Sequence, residues 1–214
     1  MQSFTLRWVK FRIYYIKNSW LQSKHIAGTT KKAYLQGESV WKDQANEALF
    51  YLSPAILRKG EFSKGIYTLR DHPMLTSVKS ELDLAQYRGI TVPTWDQDWY
   101  IIRHLTKNLV TAKSQFEIHD KINKGQADFT LSEFNGELSH IFGKVHLSPI
   151  PNIKVLIKQT RHFVVRKDMP YSLDIFEALT LGLAKMRRAK MIVNMYQKGG
   201  IINPITKHWR AINN

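Results

Sequence analysis

The chain has 214 residues, 43% of them apolar, and its 32 Lys and Arg against 17 Asp and Glu leave a net charge of +15. That length buries a core in one large domain or two small lobes, and the charge admits nucleic acid, an anionic membrane or an acidic solute as partner without choosing among them. The absence of cysteine excludes a disulfide framework, a thiolate nucleophile and any cysteine-based metal site, and no run of about 18 apolar residues is present to span a membrane.

Phe4, Leu6 and Trp8 alternate with their neighbours at the period of a strand, predicted over residues 5–9, and Phe11, Ile13 and Tyr15 continue the alternation. Arg7, Lys10, Arg12, Lys17, Lys24, Lys31 and Lys32 all precede the first acidic residue, Glu38. A turn at 27–30 and a short helix over 30–35 follow, then a helical turn at 43–48. Residues 51–73 read as extended chain broken at Pro54, Gly60 and Gly65. Gly89 opens a strand over 90–95, and Asp96 and Asp98 stand where carboxylates cap the helix that carries Ile101, Ile102, Leu105 and Leu109.

A helix over 116–124 stops at Gly125, a strand follows over 128–134, and a short helix is predicted over 135–143. Extended runs come next near 149–158 and 162–166. From Ser172 onward Ile175, Phe176, Leu179, Leu183 and Met186 recur at core spacing, and a last helix over 189–197 ends at Gly199 and Gly200. Alternating strands and helices through 90–143 imply a βαβ unit and a largely parallel sheet.

No GxSxG, HExxH, Walker or GxGxxG pattern occurs. Ser39 and Lys42 match an SxxK spacing, but neither of its usual partner motifs follows. None of the eight histidines is paired at i, i+4 on a predicted helix with a third ligand nearby. The expectation is therefore a chain that is not an enzyme, with no catalytic residue, metal or cofactor.

YLSPAI from Tyr51, RGITVPTW from Arg88, GQADFTLSEF from Gly125 and RHFVVRKDMP from Arg161 follow one another in an order that resembles the type II periplasmic solute-binding proteins, the extracellular solute-binding family 3 class. YLSPAI at Tyr51 onward is similar to the FS.PY element of that family, with Ser53 and Pro54 matching, and RGITVPTW resembles the strand that opens its second lobe. GQADFTLSEF is similar to the stretch in which a carboxylate five positions after the first Asp binds the ligand's amino group; counted from Asp128, that position is Glu133. RHFVVRKDMP and the terminal helices continue the likeness.

The resemblance implies an α/β fold of two lobes with mixed, largely parallel sheets: residues 1–88 with 167–214 as lobe one, and 89–166 as lobe two. It implies noncatalytic capture of a small polar solute in an interlobe cleft, in a periplasmic monomer that serves an ABC transporter permease or a sensor. No export signal is present in this sequence, so if the chain is exported it is expected to be the mature form behind an added Met1 or to have its true start elsewhere. Tyr15, Arg58, Trp95, Trp99 and Glu133 are the expected ligand-binding residues. Glu133 can pair with an ammonium, accept hydrogen bonds from sugar or peptide groups, or pair with a neighbouring base, and the tryptophans can stack on a ligand or seal the lobe.

Two departures accompany the likeness. Gln44, Ala45 and Asn46 stand where the family carries the arginine that clamps an α-carboxylate, and neither amide supplies a guanidinium's charge and paired donors. Only about 40 residues separate the first predicted strand from Ser53, which implies an abbreviated first lobe. An alternative reading is a basic nucleic-acid-binding module that uses the aromatic-rich region from Arg7 to Lys32.

Overall fold

The computed structural model describes residues 39–213. The strand expected over 5–9, its continuation to Tyr15 and the helix expected over 30–35 lie outside the described residues.

The central element is β3 (Ser63–Leu69). It runs antiparallel to β6 (Thr130–Glu133), β8 (Val145–Pro149) and β9 (Ile153–Leu156). β7 (His140–Phe142) extends the sheet as a hairpin with β8, and β12 (Arg210–Ala211) lies parallel to β9. Beside it, β4 (Gly89–Thr91) and β5 (Leu109–Thr111) form a parallel pair, and Gly89 bridges to Phe129 in the parallel sense. The sheets are mixed as expected, but antiparallel pairs predominate among the described residues. The βαβ unit supplies the parallel pair; β3, which precedes it, runs antiparallel to β6, β8 and β9, which follow it.

Helices cover this sheet system. α1 (Met74–Ser77) and α2 (Glu81–Leu84) are single turns, and α3 (Asp96–Leu105) and α4 (Gln115–Asn123) are the longer ones. α4 follows the local rules closely: Ser114 Oγ accepts from the Glu117 N–H at its start, and Gly125 takes φ +64° just beyond its end. Ile66, Ile102, Phe129 and Val155 sit in one apolar cluster, while Tyr67, Ile118, Ile122 and Phe134 sit in a second. Burying side chains of this size contributes about 1.5–3 kcal/mol each.

The remaining elements form a second body. β1 (Val40–Trp41) pairs antiparallel with β10 (Arg161–His162), and β2 (Phe50–Leu52) pairs antiparallel with β11 (Val164–Arg166). α5 (Ser172–Arg188) and α6 (Met191–Lys198) pack here, with Ile56, Leu183 and Ile192 as a small core and Phe176 stacked on Tyr51 at 5.1 Å. Two segments cross between the bodies side by side, held by hydrogen bonds from Ser53 N to Phe163 O and from Ile56 N to Arg161 O, both 2.9 Å. A division at 88/89 separates β3 from the strands it pairs with.

Several local expectations are corrected. Residues 135–143 are not a helix: Asn135 closes a turn onto Ser139, and Gly143, at φ +62°, makes the bend between β7 and β8. Gly65 does not break the extended chain. It lies inside β3, where an added Cβ would sit 2.7 Å from both the Phe134 and the Tyr67 rings. The strand after Gly89 ends at Thr91, and Leu109 belongs to β5 rather than to α3.

Candidate functional site

A cleft of about 330 Å³ opens between the two bodies. Trp41, Gln44 and Arg161 line it from the side of β1 and β10; Lys64, Trp95, Asp98, His119 and Glu133 line it from the side of the large sheet. Each residue arrives by a definite route. Glu133 is the last residue of β6 and stands directly opposite Lys64 in the antiparallel register with β3, so the two side chains share one face of the sheet. Asp98 comes from the first turn of α3.

These three groups form an ion cluster. Lys64 Nζ lies 2.9 Å from Asp98 Oδ2 and 3.1 Å from Glu133 Oε1. The Lys64 and Asp98 side chains are only 10% and 4% exposed, whereas Glu133 is 46% exposed and meets the cleft. Burial pulls the Lys64 ammonium down, but the charges of Asp98 and Glu133 outweigh it and hold the group above the ordinary lysine range. Burial likewise pushes the Glu133 carboxyl up, and Lys64 reverses this and holds it below the usual carboxylate range. For Asp98, burial prevails over the opposing pull of Lys64 and raises the carboxyl. Glu133 is thus the acid of the pair that stays ionised to lower pH.

On the opposite wall the Arg161 guanidinium lies 4.8 Å from the centre of the Trp41 ring and donates through Nη2 to the Ser39 carbonyl at 3.2 Å. His119 is buried with its ring stacked on Phe142 at 3.6 Å; burial, and then the nearby His140, lower its pKa and favour the uncharged ring. At the mouth, Gln44 Nε2 donates to Asp96 Oδ2 and Gln97 Nε2 donates to Asp43 Oδ2, so two amide–carboxylate pairs join the bodies.

Of the residues expected from sequence, Glu133 and Trp95 line the cleft. Trp99, half-buried one turn further along α3, does not line it. Arg58 is exposed outside the lining, its backbone N–H bonded to Glu61, because the chain after Ser53 has already entered the crossing segment. Tyr15 and the basic region from Arg7 to Lys32 lie outside the described residues. Asp98 is not a helix cap: its carboxylate turns inward to Lys64. Ser39 and Lys42 flank a strand and so are not one helical turn apart.

Lys64, Asp98, Arg161 and Gln44 were not singled out by sequence as site residues. A faint signal existed for Lys64, a lone cation in the strand FSKGIYTL, most of which is buried. Gln44 occupies the neighbourhood where the family arginine was sought, and it faces the cleft with a neutral amide. Among the described residues, no group of three His, Asp or Glu is arranged to hold a metal ion.

No protein-family model matches the sequence, and no curated protein matches it. Solved structures do share its fold. The probable amino-acid ABC transporter extracellular-binding protein ytmK from Bacillus subtilis superposes with a TM-score of 0.65 at 14% identity, over 85% of this chain and 77% of that one. A variant of ArgBP from T. maritima gives 0.54 at 12% identity, over 86% and 76%. An ancestral cationic amino-acid solute-binding protein gives 0.54 at 16% identity, over 86% and 76%. The chain therefore has the α/β, two-lobed fold of type II solute-binding proteins.

Proposed function

We propose that this chain is a noncatalytic solute-binding protein that captures a small polar solute between its lobes and works outside the cytoplasmic membrane with a transporter permease or a sensor. The observation that carries the reading is the cleft itself. It has the volume of a small-molecule site, is walled by both bodies, and combines two indole rings with a few convergent charged and amide groups. The names of the structural neighbours, amino-acid and arginine-binding proteins of transport systems, support solute capture as the general role.

Within this reading Glu133 and Trp95 contact the solute, Arg161 and Gln44 meet it from the opposite wall, and Tyr15 is a further candidate. Closure pivots on the two crossing segments near Ser53 and Phe163 and is completed by the amide–carboxylate pairs at the mouth. Among the described residues no helix is long and apolar enough to cross a membrane.

Thermal denaturation against amino acids, polyamines, short peptides and sugars tests the proposal. A true ligand raises the midpoint with concentration, by about 2.7 kcal/mol of stabilisation at one hundred times Kd, and Glu133→Ala removes most of that gain. No shift with any class would overturn the reading.

A further inference from the structure

We infer that Lys64 sets the charge of the solute this cleft accepts: its ammonium fills the space between Asp98 and Glu133, so the cleft takes a group that is uncharged where it meets Glu133 and turns away one that brings an ammonium there. The inference rests on the cleft being a solute site, as proposed above, and specifies the chemistry of that solute.

Three elements converge to hold Lys64 in place. It sits in β3 directly opposite Glu133 and reaches Asp98 in α3, with Nζ 2.9 Å from one carboxylate and 3.1 Å from the other. An ammonium has three donors, and two of them are committed to these acids. With its side chain only 10% exposed, Lys64 cannot retire into solvent to make room. A second ammonium placed on the accessible side of Glu133 would be attracted by that carboxylate and repelled by Lys64, which already satisfies one of its oxygens, so the attraction is weaker than an unpaired carboxylate would give. Like charges brought together in a desolvated site discriminate against the wrong ligand more strongly than a missing contact does.

The rest of the described lining agrees. Arg161, a second cation of the described lining, faces the same space from the opposite wall. The remaining acid, Asp96, is exposed at the rim and already accepts from Gln44. Gln115 adds an uncharged amide to the lining, and the Trp41 and Trp95 faces suit the apolar edges of a ring or chain. The solute class is thus a neutral hydroxyl- or amide-bearing molecule at the Glu133 end, rather than a diamine or a cationic amino acid.

Isothermal titration of the whole chain with putrescine and with L-arginine, on the wild type and on Lys64→Met, tests this. The wild type should bind neither cation measurably, Lys64→Met should gain at least about tenfold in affinity for both, and adding Glu133→Gln to that variant should abolish the gain. Lys64→Met/Asp98→Asn removes the buried ion pair as a unit and carries the same test where the single variant loses stability. A wild type that binds putrescine or arginine tightly overturns the inference while leaving solute capture standing. Equal, unmeasurable cation binding by all variants also overturns it. Failure of the neutral sugars and amides on the wild type, together with every other class, instead overturns the proposed function.

Discussion

Gln97 Nε2 donates to Asp43 Oδ2 at 2.7 Å, tying the first turn of α3 to the turn that follows β1. The neighbouring Gln44 and Asp96 make the same kind of bond in the opposite direction. Both pairs are exposed, so each contributes on the order of 1 kcal/mol or less to holding the two bodies together at the mouth. Asp43→Ala combined with Gln44→Ala should widen the distance distribution between spin labels placed on either side of the mouth, with the melting temperature nearly unchanged. An unaltered distribution would show that closure rests on other contacts.

Gly65 approaches the Phe134 and Tyr67 rings too closely for a side chain, and a Cβ there also lies 3.2 Å from Pro149. All three neighbours stand in or beside the central sheet, where they have little room to give. Gly65→Ala should destabilise the chain by about 1–3 kcal/mol, the usual cost of overpacking. Denaturant titration measures it, as a lower midpoint at unchanged slope.

Asp128 receives three hydrogen bonds from Arg88: from the backbone N–H at 2.7 Å, from Nε at 3.0 Å and from Nη2 at 2.6 Å. Burial pushes its carboxyl up, but these bonds outweigh burial and hold it below the ordinary value of 3.8. A depressed carboxylate contributes stability that is full above its unfolded value and is lost as pH falls through the folded one. Asp128→Asn should therefore cost about 1–2 kcal/mol at neutral pH and show a flatter decline of stability below pH 3.8 than the wild type. Parallel acid limbs for the two proteins would contradict the assignment.

Ser53 is buried, and its Oγ accepts from the Phe163 N–H at 3.0 Å while its own N–H donates to the Phe163 carbonyl at 2.9 Å. The pair clips the two crossing segments together. Ser53→Ala leaves that N–H without its side-chain acceptor and should cost about 1–2 kcal/mol, and amide exchange at Phe163 should quicken by more than at the core strand β3.

The elements that sequence located well are those whose causes are local. α4 begins at its serine cap and stops before a left-handed glycine, and α5 follows the spacing of Phe176, Leu179 and Leu183. Every signal for them lies within a turn or two of the residue concerned. Glu133 was reached differently, by counting from Asp128 within a motif that resembles the solute-binding family, and β6, Thr130–Glu133, ends on it. The hairpin over β7 and β8 was not, because His140–Phe142 becomes a strand only through pairing with β8, itself held by β3.

By itself, the sequence determined the apolar periodicities, the caps and turns, and the order of motifs that shows in the two-lobed fold. Only the tertiary structure decided what faces the cleft. Lys64 and Asp98 are 34 positions apart and meet through the packing of α3 on the sheet, and Arg161 reaches the same space from a crossing strand of the other body. Ion pairing at 2.9 Å depends on strand register and helix placement together, and neither is written in the spacing of residues along the chain.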